Sequence, residues 1–256
     1  MEILTIVLAG LFAALGAAGV ALEGVVTNFI SSHIHSGEKI TVRIDNTPSY
    51  AIFSGHLDHL RIATRRIEPI ENIYLDVLEL ESDPIDVDIA TLKSGHLRES
   101  LRHPLQSALR LELKESDLNN ALESDKIRSM VQQVLPPEIG KQFAILHIHS
   151  NFLLDNTISI GVELRQLEDG KILDLTLGSK LKLIGGHTLE LLEPSGYLNG
   201  RKLSSKLLKS FADGLNPQLD LRRLEKNGIT ARILQLKLED GILRLAFFVR
   251  LDPLSK

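Results

Sequence analysis

The apolar residues of this chain recur at every second position over long stretches, which is typical of β-strands that are wetted on one face only. Leucines alternate with polar residues from Leu173 to Leu183, and the alternation returns from Leu243 to Leu251. Shorter versions of the pattern predict further strands near residues 40–44, 50–63, 73–82, 105–113, 143–153, 158–165 and 230–238. Parallel pairing is disfavoured, because strands of a parallel sheet are apolar on both faces and are separated by helices.

Helical periodicity is found in fewer places. Apolar residues three or four positions apart predict an amphipathic helix from Leu22 to Ile30, helices after Ser116 and Ser124, and another near residues 201–215. The sequence therefore predicts an α+β fold, in which a long, curved antiparallel sheet packs on one or two helices.

The N-terminal residues form a separate apolar segment. From Ile3 to Leu22 only Thr5 and small residues interrupt the hydrophobic run, which at ~1.5 Å per helical residue just crosses a bilayer. The segment has Glu2 in place of a basic leader. It predicts a signal or anchor helix over residues 1–22, followed by a single domain over residues 23–256; the alternative is a helix buried in the domain.

Composition excludes several classes of function. The charges nearly cancel, with 29 Lys and Arg against 33 Asp and Glu, so no global basic field favours nucleic acid as a partner. Eight Phe, three Tyr and no Trp offer few stacking surfaces for bases. Because the chain has no Cys, disulfides, thiolate nucleophiles and Cys-ligated metals are excluded.

Candidate catalytic residues are few, and none lies in a standard motif. The nucleophile-elbow, phosphate-loop, zinc-protease and dinucleotide-binding motifs are all absent from the sequence. A metal pair or a general acid and base could come only from His147 with His149, or from Asp86 with Asp88. His33 with His35 and His56 with His59 have weaker spacing. We interpret all of these as ordinary polar residues, and predict no metal, no cofactor and no enzymatic activity.

The predicted helix over residues 201–215 has two distinct sides. Its apolar side carries Leu203, Leu207, Leu208, Phe211 and Leu215, and its basic side carries Arg201, Lys202, Lys206 and Lys209. A basic amphipathic helix is typical of anionic membrane surfaces. The same pattern also fits a helix that packs on a core and exposes a charged back.

Six segments occur in the order in which one known family carries them: residues 42–50, 60–63, 78–88, 102–105, 115–122 and 219–224. The first reads Val-Arg-Ile-Asp-Asn-Thr-Pro-Ser-Tyr. In these segments the chain resembles the LmeA-type phospholipid-binding family, a bacterial group with many cyanobacterial members. Relatives tend to carry a Gly-Arg-Gly turn after the second segment, where this chain has Thr64-Arg65-Arg66.

The resemblance implies a tubular lipid-binding type of fold, in which a curved antiparallel sheet surrounds a long helix and leaves an apolar groove for acyl chains. It implies binding or transfer of phospholipid or another acyl lipid at a membrane, without catalysis. The expected location is the cell envelope or periplasm, with the cytoplasmic face of a membrane as the alternative.

Alternation selects the residues that would line such a groove. The candidates are Ile158, Ile160, Val162, Leu173, Leu175, Leu177, Leu181, Leu243, Leu245 and Phe247. A lipid head group would meet the basic helix or Arg43, Arg61 and Arg65. The competing hypothesis is a membrane-tethered structural or scaffolding module, whose apolar faces are filled by its own side chains.

Overall fold

The computed structural model of the protein describes residues 36–70, 72–94, 96–134 and 141–254. The chain divides into two compact units. Unit 1 comprises Met1–Glu112, Leu221–Gln235 and Leu245–Lys256, and unit 2 comprises Leu113–Asp220 and Leu236–Arg244. The single domain expected over residues 23–256 stays a prediction. The apolar segment Ile3–Leu22 lies outside the described residues, and no helix within them is long and apolar enough to cross a bilayer.

Unit 1 is built on a sheet of order β1-β3-β4-β6-β13-β12. Its strands are β1 (Ser36–Asp45), β3 (His59–Ile70), β4 (Ile73–Ser82), β6 (Leu105–Lys114), β12 (Ile229–Glu239) and β13 (Ile242–Leu251). The last residues of β6 and β12 and the first of β13 belong to unit 2. A short ribbon pairs β2 (His56–Leu57) with β5 (Ile85–Asp86), and the helices α1 (Ile89–Lys93) and α2 (Leu97–Ser100) follow it.

The core of unit 1 lies at one end of this sheet. In register, Val42 pairs with Ile62 and Ile44 with Leu60, so β1 and β3 present their apolar residues on the same face. The core cluster, in which no residue is more than 6% exposed, is Val42, Ile52, Leu57, Leu60, Ile62, Ile85, Val87, Leu92, Leu97, Leu101, Leu105 and Leu251. This part of the fold is filled by its own side chains.

The strand predicted over residues 50–63 begins later than expected. A 3₁₀ helix, Ser49–Ser54, occupies its first part, with Ile52 buried and Tyr50 and Phe53 exposed. Gly55 ends this helix at φ +89°, and a Cβ there would lie 2.0 Å from the carbonyl oxygen of Val87. Only glycine fits this position, because it is both left-handed and in close contact with backbone. Tyr50 and Phe53 are three positions apart, which is the repeat of a 3₁₀ helix, so both aromatic side chains lie on its exposed side.

Unit 2 contains a sheet of order β11-β10-β9-β8-β7. Its strands are β7 (Phe143–Leu153), β8 (Thr157–Gln166), β9 (Ile172–Ile184), β10 (Thr188–Leu198) and β11 (Arg201–Lys202). The helices are α3 (Glu115–Glu123), α4 (Asp125–Val134) and α5 (Ser205–Leu215). Two further 3₁₀ helices span Asn216–Leu219 in unit 2 and Leu221–Asn227 in unit 1.

Side chains of α3 and α4 cover the outer edge of β7. Asn119 accepts from the backbone N–H of Ser150 (2.7 Å) and donates to its carbonyl oxygen (2.9 Å), so its amide bonds as a neighbouring strand would. Gln132 repeats this arrangement with the carbonyl oxygen of Phe143 and the N–H of Ile145. An open strand edge can pair with another chain through its free backbone groups. These amides instead bond some of the N–H and C=O groups of this edge within unit 2.

The α+β class and the antiparallel arrangement predicted from alternation are confirmed. Every strand pair with a described register is antiparallel. The Asp240-Gly241 turn joins β12 to β13 with φ of +55° and +70°, the positive pair that a two-residue hairpin favours. The wrapping of the sheet about a long helix stays a prediction.

Candidate functional site

Seven of the predicted groove residues lie together on one face of the sheet in unit 2. The register places Ile160 opposite Leu177 and Val162 opposite Leu175, so the apolar positions of β8 and β9 face the same way. The predicted groove residues on these two strands are Ile158, Ile160, Val162, Leu173, Leu175, Leu177 and Leu181. We call this the acyl face.

The acyl face is neither buried nor fully exposed. Ile160 is 38% exposed, and the other six residues are partly buried, unlike the closed core of unit 1. The reverse side of β8 and β9 is polar, with Asp174, Lys180 and Lys182 exposed on β9. Amphipathic strands with a half-open apolar face leave room for an apolar molecule to cover it.

Helix α5 covers one end of the acyl face. A Cβ added to Gly196 of β10 would lie 2.7 Å from Leu208 Cδ2 and 3.0 Å from Leu177 Cδ2. Leu208 and Leu177 therefore converge on the backbone of β10 at this glycine, and a larger side chain would displace them. At the opposite edge, Ile148 and Phe152 of β7 share the face and are buried. The less buried part of the face lies between these two ends.

The other three predicted groove residues lie on β13. Leu243 belongs to unit 2, and Leu245 and Phe247 belong to unit 1. Since side chains alternate along a strand, all three point to the side of β13 that carries Leu251, a member of the unit 1 core. Leu245 and Phe247 are partly buried, so the unit 1 sheet has a half-open apolar stretch of its own.

Sequence reasoning missed strand β10, whose leucines extend the acyl face. Leu189 and Leu191 pair with Leu183 and Leu181, and Leu198 pairs with Leu175. A register shift between Leu192 and Ser195, with Glu193 at φ +50°, breaks the alternation that would have identified the strand. The Gly185-Gly186 pair, at φ of +57° and +71°, was the available turn signal.

The basic residues predicted to form one helix side are divided between two elements. Arg201 and Lys202 lie in β11, paired with Leu198 and Tyr197, and the helix begins only at Ser205. The prediction of a helix from residue 201 is wrong, because Ser204 caps the helix by accepting from the N–H of Leu207. Lys206 and Lys209 lie on the helix, and all four cations are exposed.

The other basic head-group candidates already have carboxylate partners. Arg61 contacts Glu81 at 2.8 Å, Arg65 contacts Glu79 at 3.0 Å, and Arg43 contacts Asp45 at 2.9 Å. Burial raises the pKa of Glu79, but hydrogen bonds from Arg110 and Arg65 outweigh it and leave this pKa below its ordinary value. These arginines therefore belong to a charged ladder on the polar face of the unit 1 sheet.

Asp86 and Asp88 do not form an acid and base pair. Asp88 caps helix α1, accepting from the N–H and the hydroxyl of Thr91 at 2.8 Å each. Its pKa is lowered mainly by the hydrogen bond from the backbone N–H of Thr91. Asp86 contacts Arg102 at 3.0 Å and lies 3.9 Å from His56. Both carboxylates thus stabilise local structure.

The histidines have comparable surroundings. His147 and His149 are exposed on the polar face of β7, and the His149 ring lies over Gly161. On β3, the ring of His59 contacts the carbonyl oxygen of Ser82. Across the described residues, no group of three or more His, Asp or Glu could hold a metal ion. His33 and His35 lie outside the described residues.

Among the cavities lined by described residues are two that include no predicted groove residue. The larger, about 950 Å³ in unit 1, is lined by Asp88, Thr91, Glu99, Ser100, Leu101, Arg102 and Leu254. The smaller, about 460 Å³ in unit 2, lies between α4 and β7 and is lined by Asp125, Arg128, Ser129, Gln132, Phe143, Ala144, Ile145 and Leu167. Their mixed polar walls do not suit a hydrocarbon chain, in contrast to the acyl face.

Comparison with known proteins identifies a family for the chain. No curated protein and no solved structure matches the chain. A family model described as LmeA-like phospholipid-binding matches residues 13–248, which is nearly the whole chain. The resemblance suggested by the six ordered segments is thus confirmed, and the chain belongs to the LmeA-like phospholipid-binding family.

Proposed function

We propose that this protein binds the acyl chains of a phospholipid on the acyl face of unit 2 and transfers the lipid at a bacterial membrane without catalysis. Membership of a phospholipid-binding family indicates the class of ligand. The observation that carries the site is the partial exposure of seven aliphatic residues that share one face of β8 and β9. These side chains match a hydrocarbon chain in polarity and carry no group that would demand a polar partner.

The energetics of such a site require no specific chemistry. Each methylene removed from water is worth about 0.8 kcal/mol, so six methylenes contribute about 5 kcal/mol before the costs of association. All seven residues are aliphatic, and Ser179, which shares the face between Leu177 and Leu181, donates its hydroxyl to the carbonyl oxygen of Leu192, so an acyl chain can lie against the face in many registers. We propose that the contact discriminates little between acyl chains and that selectivity, where it exists, comes from the head group.

The proposed setting is the cell envelope, and the proposed partner is the membrane that supplies and receives the lipid. The apolar segment Ile3–Leu22 supports a membrane location, because its length suits a signal or anchor helix. The alternative function is a tethered scaffolding module. The tightly packed core of unit 1, filled by its own side chains, is the observation that favours it.

Bound lipid decides between these two functions. Protein purified without detergent is expected to carry phospholipid in a stoichiometric amount, detected by native mass spectrometry and by solvent extraction. Removal of the lipid should lower the thermal midpoint, because a ligand that binds only the folded state stabilises it. A clean apo mass together with an unchanged midpoint after solvent treatment would contradict lipid binding and favour the scaffold.

A further inference from the structure

Helix α5 presents two unlike surfaces, and the outer one is unusual. Leu208 and Ala212 are buried, and Leu208 meets the sheet at Gly196. Leu207, predicted to share the apolar side, is instead 56% exposed and lies between Lys206 and Lys209 in sequence. Consecutive residues of an α-helix point about 100° apart, so Leu208 can face the sheet only if Leu207 turns away from it.

The four cations of β11 and α5 have no ionic partner within the described part of the chain. Arg201, Lys202, Lys206 and Lys209 are exposed, and none takes part in an ion pair with a described residue. Asp213, one turn beyond Lys209, is exposed and is not paired with it. In unit 1, by contrast, Arg43, Arg61 and Arg65 each contact a carboxylate.

The placement of Lys206 does not serve the stability of the helix. The first turn of α5 contains no acidic residue. Acidic side chains are favoured there, because the N-terminal end of a helix carries partial positive charge. Lys206 therefore adds positive charge to a helix end that is already partly positive, which suits contact with an external polyanionic surface.

We propose that the outer side of α5, which carries Lys206, Leu207 and Lys209, is a docking surface for an anionic lipid bilayer. The cations face lipid phosphates, and Leu207 enters the interface between head groups and acyl chains. Surface-bound helices combine basic residues and exposed leucines in this way, and each Lys or Arg near an anionic leaflet adds to binding. The inference rests on the proposed function, since docking would bring the acyl face of the same unit to a membrane.

Vesicle binding tests the docking surface directly. The full chain is mixed with vesicles of phosphatidylcholine alone or with about one part in three of phosphatidylglycerol, and the bound fraction is measured by sedimentation at limiting lipid. We expect stronger binding to the anionic vesicles. Raising salt from about 0.1 M to about 1 M shortens the Debye length from about 10 Å to about 3 Å and should remove this preference.

Matched variants separate the docking surface from net charge. Lys206→Glu/Lys209→Glu is expected to weaken binding to anionic vesicles at least about tenfold, since each basic residue near an anionic membrane strengthens binding several-fold. The control is Lys180→Glu/Lys182→Glu, which makes the same charge change at two exposed lysines on the polar face of β9. Leu207→Ser should weaken binding without changing charge. Equal losses in the two double variants, or no loss in Lys206→Glu/Lys209→Glu, would overturn the proposal.

The lipid content of each purified variant distinguishes this proposal from the proposed function. Lys206→Glu/Lys209→Glu leaves the acyl face intact and should retain bound phospholipid while losing vesicle binding. Protein that carries phospholipid but shows no preference for anionic vesicles would refute the docking surface only. Protein without phospholipid that still needs Lys206 and Lys209 for vesicle binding would refute the acyl site only.

Discussion

Replacing Leu175 with aspartate is expected to abolish most lipid binding. Leu175 lies in the middle of the acyl face, opposite Val162 of β8 and Leu198 of β10. A carboxylate here would contact hydrocarbon, and even the loss of two methylene contacts, at about 0.8 kcal/mol each, weakens binding roughly tenfold. Desolvating the new charge adds to this loss. The measurement is a titration with a fluorescent phospholipid analogue.

Thr176→Asp is the matched control for Leu175→Asp. Thr176 is the next residue on β9 and points to the opposite, polar face, where it pairs with Gly161 and Tyr197. Both variants place a new aspartate on β9 and have the same net charge, so a general effect of added charge would appear in both. Circular dichroism melts of both proteins check that each is folded. Similar affinities for the two folded variants would show that lipid does not contact the acyl face.

The acyl face could be predicted from sequence because of its strict alternation. In β9, residues 173–183 change polarity at almost every step, and the register of β8 and β9 confirms that their apolar positions face one way. A pattern of period two defines which residues share a face, whatever the neighbouring strands are. It does not reveal how far the face is covered, which depends on contacts distant in sequence, such as Leu208 against Gly196.

Strand β10 and the start of helix α5 show where the pattern fails. The bulge between Leu192 and Ser195 puts Leu198 out of phase with Leu189 and Leu191, so alternation stops where the strand continues. The first helical residue after β11 is set by the cap at Ser204, whereas amphipathic spacing alone predicts a helix that continues back through it. Leu207 was predicted on the apolar side but is exposed. Leu208 faces Gly196, and the adjacent Leu207 therefore points about 100° away from the sheet.

The sequence around Asp88 carries an N-cap signal that competes with its alternating pattern. Asp88 and Thr91 have the spacing of an N-cap and its third helical residue. Alternation with Val87 and Ile89 suggested that Asp86 and Asp88 shared a strand face, but β5 ends at Asp86. A carboxylate that binds backbone N–H groups is held in its charged form, which accounts for the lowered pKa of Asp88 without any catalytic role.

The amides that cover the edge of β7 had no sequence signal, because Asn119 and Gln132 act on residues distant in the chain. The amide of Asn119 hydrogen-bonds to the backbone N–H, the carbonyl oxygen and the hydroxyl of Ser150. Ser150 itself is only 1% exposed. Water therefore cannot replace the amide unless the helix moves. The polar residues of this edge stabilise unit 2 at the side of the acyl face where Phe152 and Ile148 are buried.

Asn119→Ala should consequently destabilise the protein far more than Asn120→Ala. Leaving a buried hydrogen-bonding group unsatisfied costs about 1–3 kcal/mol, and two backbone groups of Ser150 lose their partner in Asn119→Ala. Asn120 is the next residue of α3 and is exposed, so the gain in helix propensity from alanine is the same in both variants. Urea denaturation gives both free energies of unfolding. Equal values would show that the edge of β7 does not depend on Asn119.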